Sequence, residues 1–334
     1  MFRETISLIS KTDEFFEKSG FGRVSIPDSK CIFSSYVNTS GKKIRHDSSV
    51  DFVGSNTNMP TIKDRILNNT IPPTGLYTNS PKLRTWNTNS WQNPESRIGY
   101  SSAFNSFGLT FGRESTIADI HDLIIIYLSN IFGINKDEIV ITGDNEDLLT
   151  QFQNKGSKTL SIKNSNRFNW KFGVKNPDNS ERLTGVGVAF EIQKKGELSG
   201  DMGTLELIYD NGTLAAIEFG MGFETSLSRL KSDHPIIHTQ AWDIINNQIQ
   251  PEQTQTNLKT ADAFGVAIAV LRSYSYLQNP KVNSHKKGKE ILTATSNTLK
   301  QNYNTFGLVN ISDFLGQFRK EIPDHILKAY LDRF

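Results

Sequence analysis

Residues 217–230 read IEFGMGFETSLSRL, and this run constrains the fold more than any other part of the chain. An apolar strand carrying one acid, Glu218, passes into a Gly-Met-Gly turn and then directly into a helix. Neither Gly220 nor Gly222 has a Cβ, so a flat planar group can lie against bare backbone there. Phe223, Leu227 and Leu230 recur at helical spacing and predict one buried face. A carboxylate beside a glycine platform at a helix start suits an amine and a nucleotide held side by side. Taken alone, the same run also reads as a strand–turn–helix joint whose glycines serve packing.

A chain of 334 residues has room for one large domain or two ordinary ones. With 36% apolar and 22% charged residues it has the composition of a globular protein. Its 37 basic and 35 acidic residues nearly cancel, which excludes a whole-chain field that would draw in nucleic acid. Cys31 stands alone, so neither a disulfide framework nor a cysteine zinc site is available. The opening MFRETISLISKTDEFF is amphipathic and lacks the continuous apolar core of a signal peptide. The longest apolar run, residues 123–128, is too short to span a bilayer. A cytoplasmic location without membrane attachment is the expectation.

The first segment reads as a helix with Ile6, Ile9 and Phe16 on one face and Gly20 ending it. A short strand over 22–26 stops at Pro27, and residues 28–100 read as irregular, with turns at Pro60, Pro72-Pro73 and Pro81. So long a polar region often surrounds a site, and Trp86 and Trp91 argue that it is packed. The clearest helix spans 116–132, capped by Ser115 or Thr116 and followed by Gly133, with Ile117, Ile120, Ile124, Leu128 and Ile131 as its buried stripe. Strands are predicted over 138–142, 185–192, 203–209 and 213–219, the last two joined by the hairpin turn Asp210-Asn211-Gly212. Beyond Leu230 the pattern is helical: 239–248, 261–277, 289–303 and two segments from Ser312 onward. The expected architecture is α+β, with residues 1–235 as a sheet domain and 236–334 as a helical domain.

In this order the pieces resemble the catalytic and first helical portions of alanyl-tRNA synthetases, a class II aminoacyl-tRNA synthetase family. DFVGSNTNMPTIKD is similar to the family's TNAGMNQFK, KLRTWNT stands where the family has CIRAGGK, and AFNSFGLTFG is similar to FFEMLGNFSFG. NWKFG resembles NFWQMG, TGVGVAFEI resembles TGPCGPCTEI, and IEFGMGFE resembles VDTGMGLER. In the helical part KTADAFGVA stands for RVIADHIRA, and the resemblance runs over nearly the whole chain.

The resemblance implies an antiparallel sheet flanked by helices that activates an amino acid with ATP, magnesium arriving with the nucleotide. A substrate carboxylate attacks the α-phosphorus, giving an aminoacyl adenylate and pyrophosphate. The protein aligns two anions and neutralises the charge that develops. The motif 2 arginine that does this in the family maps onto Arg84, whose fork suits both a carboxylate and a phosphate. Trp170 maps onto a tryptophan walling the amino-acid pocket, and Asn56 and Met59 come from the region lining it. Glu218 replaces an aspartate that holds the substrate's ammonium, keeping the charge on an arm one methylene longer. The family implies alanine or a small relative as substrate, and the longer arm means it need not be alanine itself. Gly220 and Gly222 would form the adenine platform, and Glu191 keeps the position of a family glutamate of unassigned role.

The departures bear on function as much as the matches. The motif 3 arginine is Thr225, although Arg229 lies one turn along the same helix face, and Arg97 or Lys82 could supply missing charge. Losing a charge-assisted phosphate contact costs about 1.5–3 kcal/mol. The motif 2 lysine falls near Thr88, and the glutamate of FFEM becomes Asn105. The family's arginine-dense helix is ILTATSNTL here, without a positive charge, which predicts weak or no grip on tRNA. The basic cluster from His285 to Lys289 reads as a solvated loop. His234 and His238 flank Pro235 without an adjacent Glu, so no metal site is expected. Three functions follow: an adenylate-forming ligase whose acceptor is a carrier protein, small amine or nucleoside; a non-catalytic paralogue binding nucleotide, amino acid or a partner; and a minimal alanine–tRNA ligase.

Overall fold

The computed structural model describes residues 2–24, 32–33, 36–37, 43–44, 50–51, 59–83, 88–91, 93, 95–97, 99–163, 166–246, 254–272, 284–301 and 324–332. In chain order the elements are α1 (Phe2–Lys18), β1 (Gly22–Arg23), β2 (Ile32–Phe33), β3 (Tyr36–Val37), β4 (Lys43–Ile44), β5 (Val50–Asp51), α2 (Met59–Leu67), β6 (Leu76–Leu83), α3 (Thr88–Trp91) and β7 (Ala103–Gly112). Then come α4 (Ile117–Phe132), β8 (Ile139–Gly143), α5 (Glu146–Asn154), β9 (Lys158–Ser161), β10 (Asn169–Lys171), β11 (Leu183–Lys194), β12 (Glu197–Asp210) and β13 (Thr213–Gly222). Helices complete the chain: α6 (Phe223–Lys231), α7 (Gln240–Asn246), α8 (Thr254–Arg272), α9 (Ser284–Gln301) and α10 (Asp324–Leu331).

Among the described residues one sheet of nine strands dominates, in the order β1-β6-β7-β13-β12-β11-β8-β9, with β10 also pairing β11. All its pairings are antiparallel except β1 with β6 and β8 with β9. This is the α+β arrangement the sequence predicts: an antiparallel sheet flanked by helices, with helices after it. The DNG turn works as expected. Asn211 (φ 48°) and Gly212 (φ 80°) both take the left-handed conformation that a two-residue hairpin needs.

Successive strand residues point to opposite faces, so register sorts the sheet into two surfaces. One is apolar: Tyr77, Phe107, Leu109, Phe111, Leu205, Leu207, Ile217, Phe219 and Met221 share a core with residues of α1, α4 and α6. Phe16 of α1 stacks on Phe107 at 4.9 Å, and Tyr127 of α4 lies 5.2 Å from the same ring. Helix α4 begins where Thr116 accepts a hydrogen bond from the Asp119 N–H and ends at Gly133 (φ 69°).

A second apolar core belongs to the later helices. Ile236, Trp242, Leu258, Phe264, Leu271, Ile291, Leu299 and Tyr330 build it, and Leu83, Trp91 and Ala103 enter from the ends of β6, α3 and β7. Asp262 of α8 fastens this junction. Its carboxylate accepts hydrogen bonds from Trp91 Nε1 (2.9 Å), Ser102 N (2.6 Å) and Ser102 Oγ (2.7 Å).

Several expectations are corrected. The buried stripe of α1 is Thr5, Leu8, Thr12 and Phe16, whereas Ile6 is 45% exposed. The region read as irregular holds a strand of the main sheet, β6, and the helix α2. No turn interrupts Gly-Met-Gly: β13 continues through Gly222, whose φ of −107° is extended, and α6 starts at the next residue. After β8, where the sequence pattern predicts no element, lies a helix, α5, capped by Asn145.

Candidate functional site

The second face of the sheet is polar or bare where the first is apolar. Register places Thr78, Gly108, Gly220 and Thr204 in one row across β6, β7, β13 and β12. The next row is Leu76, Thr110, Glu218, Glu206 and Gly187, and the one beyond it is Gly112, Ala216, Ile208, Gly185 and Trp170. On the other side lie Ser80, Ser106 and Gly222, then Lys82 and Phe104. Sheets with one polar face normally present it to water. Here Thr78, Thr110 and Glu218 are each 1% exposed, Lys82 2% and Glu206 7%. Burying hydroxyls, two carboxylates and an ammonium costs free energy that an ordinary core avoids. This burial makes the face the candidate site.

Glu218 stands in the middle of this face, and Trp170 shares the face with it, one row along and three strands away on β10. Gly187 exists because Trp170 and the β12 backbone lie on it. A Cβ there would meet the Leu205 carbonyl oxygen at 2.0 Å and the Trp170 ring at 3.0 Å. Beyond Glu218 and Glu206, Ile208 and Ala216 pack with Ile62 and Ile66 of α2 into a small apolar cluster. The acid pair therefore borders an apolar wall on one side and a run of glycines and hydroxyls on the other.

Glu206 is a site residue that sequence reasoning missed. It lies directly opposite Glu218. Burial, and then the neighbouring Glu218 charge, push its carboxyl well above the ordinary range, while Lys82 pulls the other way. The signal was present in TLELIY: one acid inside an apolar strand, as in IEF.

The remaining sequence-derived residues divide. Gly220 and Gly222 both lie on the polar face, with Gly108 beside Gly220 extending the bare strip. A Cβ at Gly222 would lie 3.3 Å from the Phe104 ring and 3.4 Å from Thr225 Oγ1, so both side chains stand over Gly222. Arg229, one turn on, packs its guanidinium against Gly200 (φ 88°), and its buried Nε has no hydrogen-bond partner among the described residues. Arg97 is exposed in the connection before β7 and makes no ion pair with a described residue. Arg84, Asn56 and Trp86, and the side chains of Met59 and Thr88, lie outside the described residues.

Asn105 does not belong to the polar face. Its backbone N–H and Nδ2 donate to Glu224 at 2.8 and 2.7 Å, on the helix side. Glu191 accepts from Thr142 Oγ1 at 2.8 Å and faces Arg167 at 3.5 Å; Arg167 also pairs with Asp201 at 2.9 Å. His234 caps a short helical turn by accepting from the Ile236 N–H, and His238 Nε2 lies 2.7 Å from Asp233, which gives both histidines structural roles. Among the described residues no group of three or more His, Cys, Asp or Glu side chains is placed to hold a metal. No helix among them is long and apolar enough to cross a membrane.

No family model matches the sequence, and no curated protein is similar to it. The chain does have similarity to solved aminoacyl-tRNA synthetases. One is apo histidyl-tRNA synthetase from S. aureus, at 13% identity and a TM-score of 0.41, covering 69% of this chain and 66% of that one. A second is asparaginyl-tRNA synthetase from Pyrococcus horikoshii complexed with asparaginyl-adenylate, at 11% identity and a TM-score of 0.42, covering 71% and 66%. A third is PylSc, a pyrrolysyl tRNA synthetase from Desulfitobacterium hafniense, at 12% identity and a TM-score of 0.39, covering 70% and 72%. The chain spans just under two thirds of the first two. Scores this low speak to no individual residue, and the placement of the site rests on strand register alone.

Proposed function

We propose that the chain joins an amino acid to ATP to form an aminoacyl adenylate, then passes the aminoacyl group to an acceptor other than canonical tRNA. A carrier protein, a small amine or a nucleoside fits that role. The observation that carries this reading is Glu218. It is a buried carboxylate at the centre of a sheet face, flanked by bare glycines on the strand that leads into α6. On this reading Glu218 receives the substrate ammonium and Trp170, Asn56 and Met59 wall the pocket. Gly108 and Gly220 offer bare backbone on which an adenine ring fits, with the Phe104 ring standing over the adjoining Gly222. Arg84 is the catalytic cation on the α-phosphate, with Arg229 and Arg97 as candidates for the outer phosphates. Magnesium would enter with the nucleotide.

A different acceptor is supported by α9. Ile291, Leu292, Thr295, Ser296, Thr298 and Leu299 are buried in the helical core, and Thr295 Oγ1 lies 2.9 Å from Tyr330 Oη. Between residues 291 and 299 what remains exposed is neutral Thr293 and Asn297, which offer an RNA backbone no charge. The basic residues of α9 are confined to its ends, at Lys286, Lys287 and Lys289 and at Lys300.

ATP–pyrophosphate exchange across a panel of amino acids, with and without tRNA, tests the proposal. Exchange that tRNA leaves unaltered is the expected result. No exchange with any amino acid, from folded protein and magnesium, overturns it. A second reading, a paralogue that binds nucleotide or amino acid without turnover, draws on Thr225, a neutral side chain at the helix start nearest the glycines. Calorimetric binding without exchange is its signature. A minimal alanine–tRNA ligase instead requires tRNA charging and steeply salt-dependent tRNA binding.

A further inference from the structure

We infer that Glu206 and Glu218 together select a ligand with two positive nitrogens, an amino acid with a basic side chain, in place of alanine or a small neutral relative. The inference rests on the amino-acid-binding reading above and names the substrate class of that same site.

The two glutamates face each other across β12 and β13, between the pairs Thr204–Gly220 and Ile208–Ala216. Directly opposed strand residues have Cα atoms about 4.5–5.5 Å apart, so two glutamate heads there reach the same small volume. Glu206 is 7% exposed, and its Oε2 has no hydrogen-bond partner among the described residues. Thr78 Oγ1 and Ser80 Oγ, buried on the same face, are equally unmatched among those residues. A functional core tolerates such atoms when a ligand completes them.

The charged groups acting on Glu206 are Glu218 on β13 and Lys82 on β6. Burial and the Glu218 charge outweigh Lys82, so the Glu206 carboxyl holds its proton at pH values where a free glutamate has lost it. An amino acid with a neutral side chain brings one ammonium, which one carboxylate satisfies; Glu206 Oε2 stays buried and unmatched. A second nitrogen at the end of a side chain offers a charge-assisted donor and drives the shared proton out of the pair. The apolar wall of Ile62, Ile66, Ile208 and Ala216 adjoins the pair, which fits the methylene stem of such a side chain.

Calorimetry with matched probes tests this: L-ornithine against L-norvaline and L-lysine against L-norleucine, each on the full chain near pH 7. We expect at least one basic member to bind about tenfold or more tighter than its neutral counterpart, the scale of one charge-assisted hydrogen bond. We also expect its binding to release protons, seen as a dependence of the heat on the buffer's ionisation enthalpy. In folded Glu206→Gln the preference should shrink to about twofold or less. Equal or tighter binding of the neutral members overturns the inference and leaves the amino-acid site standing, as does pyrophosphate exchange confined to other amino acids. Unchanged preference in folded Glu206→Gln overturns the role of Glu206. If that variant fails to fold, wild-type protein decides: basic ligands that bind without proton release overturn the inference. Binding by none of the four, with no exchange by any amino acid, removes the underlying reading as well.

Discussion

Glu224, in the first turn of α6, receives both the backbone N–H and the side-chain amide of Asn105 on β7, and is itself only 1% exposed. The carboxylate thereby ties the helix that follows the glycine strand to the neighbouring strand β7. Burial pushes its pKa up to about 7, although the two Asn105 hydrogen bonds pull it down.

That shift makes stability depend on pH. The unfolded chain ionises Glu224 near its ordinary 4.5, while the folded chain keeps the proton until about 7. Between those values unfolding releases a proton, so stability falls as pH rises, by about 3 kcal/mol across the window. Urea unfolding of wild type and Glu224→Gln at pH 5 and pH 8.5 checks this. The variant should show a flatter dependence; an identical slope in both proteins counts against the assignment.

Asp262→Ala should destabilise the chain by about 3 kcal/mol or more, because it strands Trp91 Nε1 and both Ser102 donors in a buried junction. The denaturation midpoint measures it. A change below about 1 kcal/mol would mean that the donors find other partners.

Gly187→Ala forces a methyl into the Leu205 carbonyl and the Trp170 ring. Overpacking of this kind costs about 1–3 kcal/mol or more. Beyond the drop in thermal midpoint, it should displace Trp170 and weaken amino-acid binding. Unaltered binding in a destabilised variant would separate Trp170 from the pocket.

Glu218→Gln should abolish or sharply reduce amino-acid binding and pyrophosphate exchange while leaving a folded chain, since the amide keeps the shape and removes the charge beside Glu206. Losing a charge-assisted contact of about 1.5–3 kcal/mol corresponds to roughly ten- to a hundredfold in affinity. Full activity in the variant removes Glu218 from the proposed role.

The sequence declared the strand–helix joint at 217–230, α4 with its caps, and the 211–212 hairpin, because local chemistry decides each of them. It concealed β6. Thr78, Asn79, Ser80 and Lys82 give that strand no apolar alternation, and Pro81 looks like a breaker. Thr78, Ser80 and Lys82 fall on the buried polar face of the sheet, and a strand that is polar on its covered face lacks the alternation by which strands are recognised. Glu218 was legible through its neighbouring glycines, whereas Glu206 acquires meaning only when β12 is laid beside β13. Asn105, which the sequence showed only as the replacement of a motif glutamate, is turned by strand parity toward α6.

Leu83 is sealed into the helical core, and Lys82, one residue earlier, lies among the buried side chains of the opposite territory. A single peptide unit therefore couples two halves of the molecule that share little else along this strand. The side chain anchored among the helices and the ammonium that acts on Glu206 are thus consecutive along one strand.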